Sequence, residues 1–442
     1  MLKTSFSTSN LVVGGKPVHY AWVIVAVASL MWVITGSMRF AVVQLVPFLH
    51  DPNGFGWSYF AITLAFTVQW LLSGALSPVV GWLGDRYGVR RVLGFGTGLF
   101  VLGMILTGIM THLWEFLIYF GVILGAAIAI FQVSVITGVT LWFKKRLGVA
   151  MGSLQGFQGF GTVIALLLVM VLFNSFGFKW TFWVPGIVGG AMLFMLSRFF
   201  HNEPAVIGLK PLGASETEPV RRMQNNETSK VRTKVFLKHA KKTSAFWNLV
   251  GIHFWGCAGH NVILILLVAM AVENGLSQGM AVGVYIVMTG VSTVTRFAVP
   301  VISDRVGSKW AMGVCFALQT APVLMLLVAQ DAWVFYLFAV LFGVGLGGEM
   351  SAFPIINRQY YGDAPSGTTY GWQTLGGGVG MALGPLLGAY LRDTTGGFDA
   401  ALYLSFGLSL VGVISIVALP STAHHLIPHW EESLPAEARS TA

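Results

Sequence analysis

Charge is scarce in this chain. Asp, Glu, Lys and Arg make up only 10% of its 442 residues, against roughly a quarter in soluble domains. A water-facing globular surface is therefore excluded. Cysteine is scarcer still: Cys257 and Cys315 are the only two. Both fall inside apolar runs, so they read as buried thiols and no disulfide is expected. The patterns of a membrane-bound enzyme are missing as well: H-E-x-x-H, G-x-S-x-G, a P-loop and an internal histidine cluster. The expectation is a protein that is not an enzyme and takes no cofactor or metal. The histidines of "STAHHLIPHW" (421–430) lie in the C-terminal tail, expected to be solvated. The N-terminal "MLKTSFSTSNLVVGGKPVHY" has no signal-peptide pattern, so the first apolar run is expected to be retained.

What fills the chain instead is apolar length. It is 55% hydrophobic, and its mean hydropathy is +0.75. Its 54 glycines and 15 tryptophans suit closely packed membrane helices with interfacial aromatics. Runs long enough to cross a ~30 Å hydrocarbon core predict twelve spans, near 20–48, 57–83, 92–110, 113–141, 148–174, 180–199, 245–272, 279–302, 310–329, 333–357, 366–391 and 398–419. The expected fold is an all-α polytopic membrane protein, with twelve transmembrane helices in two six-helix bundles.

Basic residues orient it. With the N-terminus inside, one face carries Arg86, Arg90, Arg91, Lys144, Lys145, Arg146, Arg305, Lys309 and Arg358, and the segment 201–244 adds nine more. The other face has only Lys179 and Arg392. By the positive-inside bias, both termini are expected in the cytoplasm of a cell whose inner (plasma) membrane holds the chain. The net charge of +9 then reflects anionic lipid and calls for no nucleic-acid partner.

The polar stretch 201–244, expected as a tether or a surface-lying helix, divides an N-terminal bundle (1–200) from a C-terminal bundle (245–420) and a tail (421–442). The halves are alike. Asp85, Arg86 and Gly88 of "GWLGDRYG" match Asp304, Arg305 and Gly307 of "PVISDRVG" at an offset of 304 − 85 = 219. The same offset carries Gly152, Gly159 and Gly161 onto Gly371, Gly378 and Gly380. A duplicated six-plus-six chain is a transporter plan with its substrate site between the repeats. "GWLGDRYGVRR" (81–91) also resembles the loop signature of the major facilitator superfamily, G-x-x-x-D-R-x-G-x-R-R, at every specified position. That resemblance implies a gating element formed by Gly81, Asp85, Arg86, Gly88, Arg90 and Arg91, with Asp304 and Arg305 in the second copy. It also implies a monomer.

Three charged residues lie deep within spans and cannot be assigned to loops. Arg39 follows "VITGSM" in span 1, Arg296 precedes Asp304 by eight residues in span 8, and Glu349 precedes Arg358 by nine in span 10. At 1.5 Å per residue, the last two lie ~12–14 Å from that end. A charge at such depth costs at least ~2.5–3.5 kcal/mol and faces a cavity or a partner. For Arg296, the functional reading is a planar fork for an anionic substrate, and the alternative is a structural salt bridge with Glu349 at similar depth. Glu349 and His260 of span 7 are the proton-coupling candidates, and His253 is read as structural. Gln44, Gln132, Gln155, Gln158, Asn261 and Gln373 fill out the expected cavity. Of these, Gln44, Gln155 and Gln373 are the preferred substrate contacts, with Asn261 beside them.

"TGSMRFAVV", "GWSYFAITLAFTVQWLLSGALSPVVGWLGDRYGVRRV" and "GGEMSAFPIINRQYYG" resemble the monocarboxylate transporters and the related bacterial oxalate–formate exchangers. The resemblance implies movement of small carboxylates with a proton or by anion exchange. Three departures stand out. Ser292 occupies the position of an acid common four residues before the span-8 arginine. Arg39, unlike a lysine, cannot release a proton. Gly377 or a neighbour replaces the span-11 lysine of the exchangers. The expected function is secondary transport of a small organic anion, a monocarboxylate first. The alternatives are an exporter of amphipathic compounds and a transporter-like sensor.

Overall fold

The computed structural model describes residues 11–13, 16–57, 59–215, 220, 227–362, 364–365, 367–435 and 438. Among them, twelve helices are long and apolar enough to cross a membrane. Spans 1 to 6 are Ala21–Phe40, Ala61–Tyr87, Val89–Gly108, Leu113–Thr140, Leu147–Phe176 and Phe178–Phe199. Spans 7 to 12 are Ser244–Glu273, Gly279–Val306, Ser308–Val328, Ala332–Glu349, Gly367–Arg392 and Asp399–Val417. All twelve expected spans are present. A short antiparallel pair, Leu11–Val13 with Lys16–Val18, precedes span 1.

Helix boundaries differ from expectation where the polar signature lies. Spans 2 and 8 were expected to end near residues 83 and 302, yet their helices run on to Tyr87 and Val306. Asp85, Arg86, Asp304 and Arg305 therefore belong to the last helical turn. Each connection shrinks to one glycine, Gly88 (φ 89°, ψ 139°) or Gly307 (φ 90°, ψ 137°). Side chains are strained at such angles, so a one-residue reversal requires glycine.

Four spans leave α-helical geometry: span 4 is π-helical over Leu117–Leu124, span 9 is 3₁₀ over Ala321–Val328, and spans 1 and 10 are interrupted. Span 1 gives way to a 3₁₀ turn over Val42–Leu45 and resumes as Val46–His50. Span 10 breaks at Met350–Ala352 and continues as Phe353–Tyr361, with Pro354 in its opening turn, where the missing N–H is tolerated. Each break comes within three residues of a buried ionisable side chain, Arg39 or Glu349. Loosened backbone at such depth is a recurring mark of functional positions.

The halves meet where span 2 lies along span 11 and span 5 along span 8. Small residues set the spacing. A Cβ added at Gly81 would collide with the carbonyl of Gly367, and one at Gly148 with the carbonyl of Pro300. Gly74 packs on Gly378 in the same way. These approaches cluster toward the end that bears the basic connections. Phe297 extends the span 5–span 8 contact, its ring 6.1 Å from those of Phe157 and Phe160.

The linker forms a helix over Glu227–Ala240. Its Phe236 packs edge-on against Tyr361 and Trp430, and its Arg232 pairs with Glu431. The tail is not simply solvated, because Trp430 and Leu434 are buried and the Leu426 amide donates to the Tyr360 carbonyl at 2.9 Å. Apolar side chains at these tail positions gain more from covering the base of the C-terminal bundle than from exposure.

Candidate functional site

Arg39 is 3% exposed, and span 2 cages it. Gln69 and Ser73, four residues apart on one helical face, accept from its Nε at 2.8 Å and its Nη2 at 2.9 Å. The indole of Trp70 lies 3.7 Å beneath the guanidinium carbon. Gln69 is fixed in turn, its Nε2 donating to the Phe120 carbonyl at 3.0 Å. Every partner is neutral. Charge-assisted hydrogen bonds and the cation–π contact offset part of the desolvation cost without cancelling the charge.

Arg296 reaches across the halves. Its Nη1 donates to Gln158 Oε1 of span 5 at 2.7 Å. The alternative partner, Glu349, is engaged elsewhere. Its Oε2 lies 2.9 Å from His260 Nδ1 and accepts from Gln319 Nε2 at 2.9 Å. Arg296 and Glu349 therefore do not pair. Among the described residues, neither Arg39 nor Arg296 stands within salt-bridge distance of a carboxylate. Glu349 is wholly buried, and its other oxygen, Oε1, has no hydrogen-bond partner. Cys257 joins Glu349 and His260 so that three donor atoms lie within 4.8 Å of one another. The 2.9 Å between imidazole and carboxylate is shorter than the ~3.3 Å that separates two ligands of one tetrahedral zinc. The trio is thus an internal hydrogen-bonded pair with a thiol beside it.

A small cavity, with room for about one water molecule, lies between spans 2, 4, 7 and 11, lined by Trp70, Ser73, Gln132, His253, Thr374 and Gly377 among others. Arg39 adjoins it through Ser73 and Trp70. The preferred polar contacts are placed differently from one another. Gln373 is wholly buried and exchanges two hydrogen bonds with Asn357, at 2.7 and 3.0 Å. Asn261 donates to the Cys257 carbonyl of its own helix at 2.8 Å. Gln155 is buried in span 5. The side chain of Gln44 lies outside the described residues. Gln69, Ser73, Trp70, Gln319 and Thr374 were not singled out from sequence, although Gln69 and Ser73 at i, i+4 in an apolar run were a usable signal. Gln132 and Gln158 were noted as polar neighbours, and each now has a definite position.

The acids of the two signature copies are set against helix ends of the opposite half. Asp85 Oδ2 accepts from the amide and hydroxyl of Thr368, both at 2.9 Å, where span 11 begins. Asp304 Oδ2 accepts from the Gly148 amide at 2.6 Å, where span 5 begins. Gly148 and Gly367 are themselves 219 apart (367 − 148), so both the acid and its receptor are duplicated. A carboxylate at a helix N-terminus meets free N–H groups and the positive end of the dipole. Arg86 stacks near Trp82 (4.8 Å) and Tyr87 (5.2 Å). The Arg90 amide donates to Asn202 at 2.8 Å, and Arg91 is exposed. Arg305 is exposed as well.

A family model described as Major Facilitator Superfamily matches residues 21–308 and 258–439. An MFS-type transporter, opdF, of Penicillium oxalicum is 23% identical over 371 residues, 82% of this chain and 81% of its own length. The oxalate:formate antiporter of Oxalobacter formigenes is 24% identical over 379 residues, 81% of this chain and 85% of its own. Human monocarboxylate transporter 2 is 25% identical over 424 residues, 89% of this chain and 85% of its own. Among solved structures, the transporter FucP in its outward conformation superposes with a TM-score of 0.69 at 13% identity, covering 90% of this chain and 98% of that one. Family and fold are those of transporters. With twelve spans in duplicated halves, reciprocal contacts of an acid with a helix end of the opposite half and this match, the chain belongs to the Major Facilitator Superfamily, and it resembles that family's monocarboxylate and oxalate–formate members.

Proposed function

We propose that the chain is a secondary active transporter that moves a small organic anion, a monocarboxylate, by alternating access. The observation that carries this reading is the pairing of the two membrane-embedded arginines. Arg39 and Arg296 are held by amides, a hydroxyl and an indole, and they keep their charge uncompensated. Two fixed positive charges in a low-dielectric bundle attract an anion more strongly than they would in water. A neutral or cationic drug gains nothing from them, so an exporter of such compounds is disfavoured. The names of the oxalate:formate and monocarboxylate relatives lend support.

In this reading, the basic connections face the cytoplasm, and both termini lie there, in the plasma membrane. The close span 2–span 11 and span 5–span 8 contacts then hold the cytoplasmic end shut. Substrate carboxylate oxygens bind Arg39 from the cavity side and draw Arg296 from Gln158. Rocking of the bundles breaks the two acid latches and opens the cytoplasmic end. A proton or a counter-anion accompanies the cycle, and one copy of the chain suffices.

Uptake of labelled lactate, pyruvate, acetate, formate and oxalate into proteoliposomes tests this. Wild type takes up one of them saturably, and Arg39→Gln and Arg296→Gln each lose that uptake. Normal uptake by both variants, or no transport of any acid, rejects the anion site.

A further inference from the structure

Span 7 carries His253, Gly256, Cys257 and His260 on one face, at i, i+3, i+4 and i+7. His260 is bonded to Glu349, whose free oxygen Oε1 fills the space that a side chain at Gly256 would need. One turn further along lies His253. It is 1% exposed, its ring stacks on Phe353 at 4.4 Å and the Gln373 backbone carbonyl lies beside it, yet neither ring nitrogen makes a hydrogen bond of normal geometry. Its Nε2 faces Gly377, and it lines the cavity opposite Ser73 and Trp70. A buried imidazole with both nitrogens unsatisfied is costly and calls for an explanation. Glu349 and His260 lie near enough to act on it electrostatically. A donor–acceptor group with no well-formed hydrogen bond thus lines the cavity about one helical turn from a buried carboxylate oxygen that is also unpartnered.

We infer that His253 is the port through which a proton from the cavity reaches Glu349, and that this transfer couples proton and anion movement. The inference rests on the anion site proposed above. One ring nitrogen takes up a proton from the cavity, forming a new N–H. The other nitrogen releases its proton through a water molecule to Glu349 Oε1, since the two atoms are not hydrogen-bonded to each other. The imidazole ends neutral and the carboxylate becomes a carboxylic acid. The charged and titratable groups around His253 are few. They are Cys257 and His260 on its own span, Glu349 from span 10, Tyr370 from span 11, and Arg39 across the cavity behind Ser73. An imidazolium facing Arg39 is disfavoured until an anion sits between them. Proton and anion then favour each other's binding by the same factor.

The test compares steady-state accumulation of the five acids above in proteoliposomes, with and without an inward gradient of one pH unit. Counterflow without a gradient reports the anion site alone. One proton per anion gives wild type about tenfold accumulation per pH unit. His253→Gln loses this accumulation, while Phe353→Leu, which removes the stacked ring and keeps the imidazole, retains it. Full accumulation by His253→Gln overturns the inference. Wild-type counterflow without any response to the gradient overturns it too and leaves the anion site standing. No movement in either mode overturns both. If His253→Gln does not fold, nitrogen-15 histidine spectra of the wild type decide. Adding the transported acid at constant pH raises the protonated fraction of a buried histidine, and no change in any histidine overturns the inference.

Discussion

Replacing Asp85 by Asn removes one charge from the join between the halves and keeps the shape. In the structure, its carboxylate accepts the Thr368 amide and hydroxyl, and the Gly367 amide also donates to it. A hydrogen bond to a charged group contributes about 1.5–3 kcal/mol and a neutral one about 0.5–1.5 kcal/mol. The helix terminus adds about 0.3–1 kcal/mol for the charge. Part of this is offset by the cost of burying a carboxylate in the closed state. A net loss of about 1–2 kcal/mol is a roughly five- to thirtyfold shift toward the state open at the basic end. Spin labels at the exposed positions 91 and 305, one in each half, report this in double electron–electron resonance. Asp85→Asn populates a longer distance, Asp304→Asn does so through the Gly148 end, and the double variant goes further. An unchanged distance distribution in both single variants refutes the latch reasoning.

Other consequences are more local. Gly148→Leu drives a side chain into the Pro300 carbonyl and lengthens the same spin-label distance as Asp304→Asn, whereas an unchanged distance contradicts the close packing. Gly88→Ala and Gly307→Ala force a side chain into strained backbone, costing about 1–3 kcal/mol each, read as a lower melting temperature in detergent. Glu349→Ala strands His260 and Gln319 in the core and destabilises by about 3–5 kcal/mol, and Glu349→Gln costs less. Arg232→Ala removes the pair with Glu431, so limited proteolysis cuts the C-terminal tail faster than in wild type.

Much of the architecture was legible from composition and length alone, because an apolar helix in a membrane satisfies its backbone internally and needs little else to be recognised. The repeat was legible too. Offset 219 joined Asp85 to Asp304 before their partners were known, and the structure adds Gly148 and Gly367 at the same offset. What the sequence hid was pairing. Depth along a helix placed Glu349 level with Arg296 but could not say that span 7 brings His260 closer. Helical facing decides such contacts, and no single span records its neighbour's rotation. Gln373 was chosen for its amide, and that amide is spent on Asn357. His253 was read as packing because one histidine in an apolar run carries no signal until a cavity is seen beside it. The breaks after Arg39 and Glu349 were not foreseen, since nothing marked Val42–Leu45 and Pro354 lies beyond the break at Met350–Ala352.

The central claim is that Arg39 and Arg296 hold an anion. Equilibrium binding of lactate, pyruvate, acetate, formate and oxalate to the purified protein in nanodiscs tests it, with lactamide and acetamide as uncharged counterparts. The account predicts saturable binding of one acid and none of the amides. It also predicts at least tenfold weaker binding in Arg39→Gln and in Arg296→Gln, the loss of one charge-assisted contact of about 1.5–3 kcal/mol. Equal binding of acid and amide, or wild-type affinity in both variants, contradicts it.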